Sequence, residues 1–284
     1  MKQLLILSGK GGTGKTTTAA AFIAFSKGHA FADCDVDAPN LHLVMDFKNE
    51  PKRSDFLGGK KAWIDPQKCL GCESCKNHCR FEAIKKDGDV CVVNELACEG
   101  CAVCTVVCPA NAVTMNDDVA GDMMLYDENR VFSTAKLKMG RGNSGKLVSA
   151  VKEALVDNSD AEFAIIDGSP GIGCPVIASI SGVTMVLIVA EPSLSGMSDM
   201  QRIIRTCHGF GTKAAVCVNK YDSCPEKADE IEHYCADNNI PYLGRVPYDS
   251  AIPKAINAGK SIAEVDCPAS DALKRIYRRV VELI

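Results

Sequence analysis

Short apolar runs alternate with longer amphipathic stretches through most of this 284-residue chain. Residues 4–7, 30–33, 163–166, 185–190, 214–218 and 242–246 have the length and composition of strands, and the stretches between them include helical ones. Strands and helices in alternation predict an α/β fold built on a doubly wound, mostly parallel sheet. Such sheets bind ligands beyond the carboxyl ends of their strands. Residues 123–126 and 131–134 flank the polar Asp127, Glu128 and Asn129, which predicts a hairpin. Near the C-terminus, Leu273, Ile276, Val280 and Leu283 form an apolar helical face beside Lys274, Arg275, Arg278 and Arg279. Packing on the sheet is the expected role of that helix, and contact with an anionic membrane is the alternative its basic face allows.

The alternation breaks between residues 61 and 116, so the expected organisation is 1–60 and 117–284 as two parts of one domain, with 61–116 inserted. Residues 51–60, rich in charge and glycine, and Asn116, Asp117 and Asp118 read as linkers. Within the insert, C-x2-C-x2-C-x3-C is written twice, at Cys69, Cys72, Cys75 and Cys79 and again at Cys98, Cys101, Cys104 and Cys108. The repeat extends further, because Ala83 and Ile84 match Ala112 and Val113 at the same offset (98 − 69 = 29; 112 − 83 = 29). In two-cluster bacterial ferredoxins three thiolates so spaced meet one iron-sulfur cubane, while the fourth of each run completes the other. Two [4Fe-4S] clusters are therefore expected in a small ferredoxin-like α+β domain. One takes Cys69, Cys72, Cys75 and Cys108; the other takes Cys98, Cys101, Cys104 and Cys79. Structural zinc closes with four ligands, often including histidine, and disulfides belong to oxidising compartments, so neither suits eight thiols in this pattern. Arg80 follows Cys79 where Pro109 follows Cys108. A cation there could receive an acidic partner or shift the potential of the nearby cluster.

A hydrophobic content of 46% is enough for a large core, and a net charge of −4 argues against a generic nucleic-acid binder. Sixteen cysteines without a secretory leader point to a reducing compartment, so a cytoplasmic location is expected. No stretch reaches the roughly 18 to 20 apolar residues that span a bilayer. Cys207, Cys217, Cys224, Cys235 and Cys267 have no paired spacing and read as core or surface thiols.

Directly after the first strand comes Ser8-Gly9-Lys10-Gly11-Gly12-Thr13-Gly14-Lys15-Thr16-Thr17, then a helix-forming run. Strand, G-x4-G-K-T loop and helix together make a phosphate cradle. Gly11, Gly12, Thr13 and Gly14 turn backbone N–H groups toward phosphate oxygens, Lys15 neutralises the β and γ phosphates, and Thr16 offers its hydroxyl to Mg²⁺. Thr17 extends the same nucleotide-binding loop. Asn219-Lys220-Tyr221-Asp222 follows a later strand, and taken alone that N-K-x-D would suggest guanine.

The additional Lys10 makes K-G-G-x-G-K-T-T resemble the deviant Walker A loop of the MinD, ParA, nitrogenase iron protein and arsenite-pump ATPase superfamily. Asp33-Cys34-Asp35-Val36-Asp37-Ala38-Pro39-Asn40-Leu41 is similar to its switch I, and Asp167-Gly168-Ser169-Pro170-Gly171-Ile172-Gly173 to its switch II. The resemblance implies an ATP-hydrolysing homodimer in which Lys10 reaches the partner's nucleotide, Asp35 orients the attacking water and Asp167 holds Mg²⁺ with Thr16. It also implies that Asn219, with Pro247 and Asp249 in the Val246–Asp249 segment, lines adenine, so ATP is expected over GTP. Cys174 lies where the nitrogenase iron protein has a cysteine that ligates a cluster between subunits; a buried thiol is the ordinary alternative. The Asn143–Lys146 segment is similar to one in ferredoxin-containing members of the group, and as it lacks a preceding strand it is expected to be a loop or helix start. The whole chain thus resembles a MinD-type ATPase with an inserted two-cluster ferredoxin. The expected function is nucleotide-dependent dimerisation coupled to electron transfer toward a redox partner. Metallocluster maturation for a metalloprotein client, and a MinD- or ParA-like positioning switch with a redox-sensing insert, are the alternatives.

Overall fold

Residues 4–7 have no exposed surface, which requires cover on both faces of the first strand. In the computed structural model, which describes residues 1–45 and 47–284, the elements begin with β1 (Lys2–Leu7), α1 (Lys15–Ser26) and β2 (Ala30–Asp33). There follow β3 (Lys52–Ile64), α2 (Ser74–Asn77), β4 (Ile84–Asp87), β5 (Val90–Val93), α3 (Val103–Val106), β6 (Val113–Asp127) and β7 (Val131–Leu137). Then come α4 (Ser144–Asp157), β8 (Phe163–Asp167), α5 (Cys174–Ile180), β9 (Met185–Ala190), α6 (Leu194–Gly209) and β10 (Lys213–Asn219). The chain ends with α7 (Pro225–Asp237), β11 (Tyr242–Val246), α8 (Ala251–Asn257) and α9 (Pro268–Leu283). It divides into two units, Met1–Arg53 with Met123–Lys136 and Ser144–Ile284, and Ser54–Asp122 with Leu137–Asn143.

In the first unit the strand order is β11-β10-β9-β1-β8-β2-β7. Every adjacent pair in that series is parallel. All six strands expected from the apolar runs are present, and β7 joins them beside β2 with Ala30 opposite Val131. The glycine-rich loop after β1, Asp33, Asp167 and Asn219 all fall at carboxyl ends of strands. α9 lays Leu273, Ile276 and Val280 against α1 and β11, with Tyr277 edge-on to Phe22 at 5.2 Å. The apolar face of this helix is therefore spent on the core. Among the described residues no helix is long and apolar enough to cross a membrane.

The second unit corrects one sequence expectation, because both flanks read as linkers are strands. Residues 51–60 lie largely in β3, whose inward positions Phe56, Gly58, Ala62 and Ile64 keep a period of two. The signal was hidden because Gly58 contributes no apolar side chain, and the space is taken: a Cβ there would meet the Ala120 Cβ at 2.4 Å. Asn116, Asp117 and Asp118 lie in β6. Asp118 is buried and tolerated there because Arg141 pairs with it at 3.2 Å.

The 29-residue repeat is carried by the backbone of this unit. α2 and α3 occupy equivalent positions (74 + 29 = 103; 77 + 29 = 106). Left-handed backbone recurs at the same offset, at Gly71 and Gly100, Glu73 and Ala102, and Glu82 and Asn111. The copies also exchange a hydrogen bond. Asp65 N–H of the first donates to Ala112 of the second at 2.8 Å, and Asn94 N–H of the second donates to Ala83 of the first at 2.7 Å. Each copy therefore closes on the other.

Truncating the α9 face should be costly and truncating its tip should not. Ile276→Ala is expected to destabilise by about 2–5 kcal/mol, and Leu283→Ala, 37% exposed, by no more than about 0.5 kcal/mol, as read from urea unfolding.

Candidate functional site

The loop after β1 turns through Gly12 and Gly14 at φ +80° and +94°, values that a side chain would strain. Gly14 has a second reason to lack a side chain, since a Cβ would lie 2.2 Å from Asn219 Nδ2. α1 starts at once with Lys15, so its free N–H groups and positive dipole end face the loop. A cavity of about 540 Å³ opens here, lined by Lys10, Gly11, Gly12, Gly14, Lys15, Thr16, Thr17, Asp35, Asp37 and Ser169 among others. That volume is in the range of small-molecule sites. Thr13 is buried behind the loop, its carbonyl accepting from Asn219.

Asp167, with no exposed surface, organises the cavity floor. Its Oδ1 accepts from Lys15 Nζ and its Oδ2 from Thr16 Oγ1, both at 2.6 Å. Burial alone would lower the Lys15 pKa, but the Asp167 carboxylate outweighs it and raises the value above the ordinary lysine range. A hydroxyl and a carboxylate side by side are the hard oxygen donors that suit Mg²⁺. Asp35 lines the cavity half-buried, and burial raises its pKa.

Three groups that the sequence reading passed over complete the arrangement. Asp33 is fully buried and its carboxylate accepts from the backbone N–H of Asp35, Asn40 and Leu41 at 3.0 Å each, pinning the 33–41 loop. Burial first, then the nearby Asp167 charge, pushes its pKa up to about 7. Ser169 Oγ donates to the Cys34 carbonyl at 2.6 Å, and Cys34 N–H donates to the Asp167 carbonyl at 2.7 Å, so the two loops are stitched together. Glu191, at the end of β9, pairs with Lys10 Nζ at 2.7 Å, with Ser195 Oγ 3.5 Å from the same nitrogen. An acid just past a strand end was the available signal for Glu191, and the first acid of D-C-D was the signal for Asp33.

The residues expected around the base are braced rather than free. Asn219 Nδ2 donates to the Thr13 carbonyl at 2.7 Å, and Lys220 Nζ donates to the Gly12 carbonyl at 2.9 Å, so both clamp the phosphate loop from outside. Asp222 Oδ1 accepts from Tyr248 N–H at 2.9 Å, tying that loop to the Val246–Asp249 segment. Pro247 is half-buried there. The Asp249 carboxylate accepts from Ala251 N–H at the start of α8, and that bond holds it below the usual carboxylate range. Cys174 is exposed at the first position of α5, against Gly145 at the start of α4. Cys34 is completely buried, and burial raises its pKa far above the ordinary thiol range. Of the five scattered cysteines, Cys207, Cys217, Cys235 and Cys267 are core thiols and Cys224 is half-buried.

In the second unit Cys79, Cys98, Cys101 and Cys104 line one cavity, together with Gly100 and Ala102. This joins the fourth cysteine of the first run to the first three of the second. On the other side, Ser74 Oγ donates to the Val107 carbonyl at 3.1 Å, which holds the residue before Cys108 against the turn that carries Cys75. Backbone N–H groups already serve as sulfur donors, Cys91 N–H to Cys69 Sγ at 3.4 Å and Ala112 N–H to Cys108 Sγ at 3.3 Å. Among the described residues no three His, Cys, Asp or Glu side chains gather as they would around a single metal ion. Thiolates are the donors that iron-sulfur clusters take, and a cubane spreads its four around a multi-atom core.

Residues 4–262 match the family model of the CobQ/CobB/MinD/ParA nucleotide-binding domain. The chain belongs to this family. An uncharacterised protein of Methanocaldococcus jannaschii is 30% identical across 99% of this chain and 97% of its own length. The same organism's iron-sulfur cluster carrier protein is 23% identical over 99% of this chain and 84% of its length. Among solved structures, the cell division ATPase MinD of Pyrococcus furiosus has a TM-score of 0.60 at 18% identity, covering 100% of this chain and 99% of the other. MinD of Pyrococcus horikoshii, complexed with Mg-ADP, scores 0.59 at 18% identity, covering 99% and 96%. The fold of this family member is thus that of MinD.

Two predictions test the electrostatics. Lys15→Ala strands a buried carboxylate and is expected to destabilise by about 3–5 kcal/mol; adding Asp167→Asn should restore part of the loss in urea unfolding. For Asp33, a folded-state pKa raised to about 7 means that the folded chain keeps a proton the unfolded chain has released. Its contribution is therefore favourable at low pH and is lost as pH rises from about 4 to 7. Unfolding in EDTA should show that decline, and Asp33→Asn should flatten it.

Proposed function

We propose that this protein binds and hydrolyses ATP with Mg²⁺ as a homodimer, and couples that cycle to electron transfer through two [4Fe-4S] clusters held by its second unit. The observation that carries the reading is the mutual closure of the two 29-residue copies, with Cys79 beside Cys98, Cys101 and Cys104. It supports the crossed ligand sets, Cys69, Cys72, Cys75 and Cys108 for one cluster and Cys98, Cys101, Cys104 and Cys79 for the other. The clusters would supply one-electron chemistry at potentials set by burial and N–H···S bonds. The protein's own part is to hold eight thiolates, six of them in or against a cysteine-rich apolar core that buries Cys75 and Cys98, with Cys72 and Cys101 exposed.

In the nucleotide site, Lys15 and Thr16 spend their donors on Asp167. The phosphates of ATP and its Mg²⁺ compete for these same three groups, so nucleotide binding and the state of the Asp167 loop are one equilibrium. Asp35 stands in the cavity as the group that orients the attacking water. Gly11, Gly12, Gly14 and Thr17 face the phosphates, while Asn219 with Lys220 keeps the loop in shape. Asn219, Pro247 and Asp249 remain the residues assigned to the adenine side. Lys10 must leave Glu191 to reach a partner's nucleotide. That ion pair is partly exposed and so is worth about 1 kcal/mol, a low barrier to dimerisation. Two of the four chain connections to the second unit adjoin responsive segments, since β3 follows the 33–44 region and residues 137–143 lead into α4, which packs on α5. ATP can shift that pair only by binding one arrangement more tightly than another.

Cluster maturation for a client protein is the second reading, favoured by the relative named an iron-sulfur cluster carrier. Anaerobic purification separates the two. Electron transfer accelerated by ATP, with about eight iron atoms retained per chain, is the expected result. Loss of iron to an apo-protein on ATP addition supports the carrier reading, and potentials and rates unchanged by ATP overturn the coupling. ATP should bind more tightly than GTP, Lys10→Ala should abolish hydrolysis while retaining ATP binding, and Glu191→Gln should strengthen ATP-dependent dimerisation by up to about fivefold, the equivalent of about 1 kcal/mol.

A further inference from the structure

Among the described residues two lysines are buried, Lys15 and Lys152. Lys15 answers a carboxylate, whereas Lys152, on α4, gives its ammonium to backbone carbonyls. It donates to Ala178 at 3.4 Å, to Ser179 at 2.8 Å and to Ser181. These oxygens close α5, where the last carbonyls of a helix lack partners along the axis and the dipole is negative. A cation there caps the helix. This cap comes from the neighbouring helix, so it is also a tether. A second point of attachment lies about two turns earlier. A Cβ at Gly145 would be 3.3 Å from the Cys174 carbonyl, so the start of α4 presses on the start of α5. The two helices thus run side by side in one direction, touching at their starts and bonded seven residues on (145 + 7 = 152; 174 + 7 = 181). α5 follows the loop of residues 168–173 beyond Asp167, and α4 follows residues 137–143 of the second unit.

We propose that Lys152 is a positioning residue that makes α5 and α4 move as one body, so that the state of the Asp167 loop is passed to α4. The inference rests on the reading above, in which ATP and Mg²⁺ draw Lys15 and Thr16 away from Asp167. Apolar contacts between helices are non-directional and tolerate sliding. Charge-assisted hydrogen bonds are directional and fix register. Parting a buried ammonium from three carbonyls leaves both sides short of partners, which opposes any displacement of α5 that α4 does not follow. A lysine that merely capped α5 would stabilise that helix and leave α4 indifferent to nucleotide.

The test is hydrogen exchange read by mass spectrometry on the full chain, with Mg²⁺ and with or without a saturating non-hydrolysable ATP analogue. Wild type is compared with Lys152→Met and Lys152→Arg. A cavity of about 300 Å³ adjoins Lys152, lined by Gln3, Ser149, Ala178 and Ser181 among others. It gives a guanidinium room and lets water reach the carbonyls of the methionine variant. In wild type the analogue should change exchange in residues 168–173, in α5 and in α4. In Lys152→Met the change should persist in 168–173 and α5 but shrink in α4 by at least about fivefold, the lower end of an ordinary coupling between sites. Lys152→Arg should restore it. An α4 response as large in Lys152→Met as in wild type overturns the proposal and leaves Lys152 a helix cap, and so does Lys152→Arg behaving like Lys152→Met. Should Lys152→Met give no soluble chain, Lys152→Gln, which keeps one donor group, puts the same question. Residues 168–173 of wild type failing to respond to nucleotide would defeat the underlying reading itself, a result distinct from loss of the α4 response in the variant.

Discussion

A carboxylate without exposed surface must be neutralised where it sits, and Asp167 is neutralised by Lys15 and further hydrogen-bonded by Thr16, the two residues that open α1. That requirement couples elements distant in sequence. β8 must run beside β1, and the phosphate loop must return above its end, so that Lys15 comes within 2.6 Å of residue 167. A buried pair of this kind adds little net stability over an apolar pair, but losing one partner is expensive. It therefore acts more as a constraint on register than as glue. Asp33 extends the constraint to β2, since its carboxylate is held by three N–H groups of the following loop.

Much of the first unit was legible because its strands are apolar throughout and are separated by helix-length intervals. The phosphate loop was legible because its residue types are dictated by backbone geometry, at Gly12 and Gly14 most of all. The partners of Glu191 and Lys220 were not legible, because each acts on a group far away in sequence. Lys220 reaches the Gly12 carbonyl and Glu191 reaches Lys10, and no local pattern encodes either contact. Asp249 was legible as a position but not as a helix-start acceptor, which only the direction of α8 reveals.

The internal repeat of the second unit was legible in its cysteine spacing, and the strands at its borders were not. Spacing of two and three residues is a local property, and it survives any change in the surrounding fold. Strands β3 and β6 were missed because their inward positions include Gly58 and Asp118, which escape hydrophobic periodicity. One is small because Ala120 presses on it, and the other is charged because Arg141 answers it. Both are cases where tertiary packing decides what a strand may carry.

The exchanged bonds from Asp65 to Ala112 and from Asn94 to Ala83 give the unit the character of a dimer written into one chain. Half of it alone would leave the N–H of Asp65 and the carbonyl of Ala83, or those of Asn94 and Ala112, without these partners. Covalent fusion also releases the halves from symmetry. A free dimer of one repeat would carry every substitution twice, whereas here Arg80 faces Pro109 and Cys91 faces Ala120 across the same offset. Duplication thus turned one environment into two, each open to separate tuning.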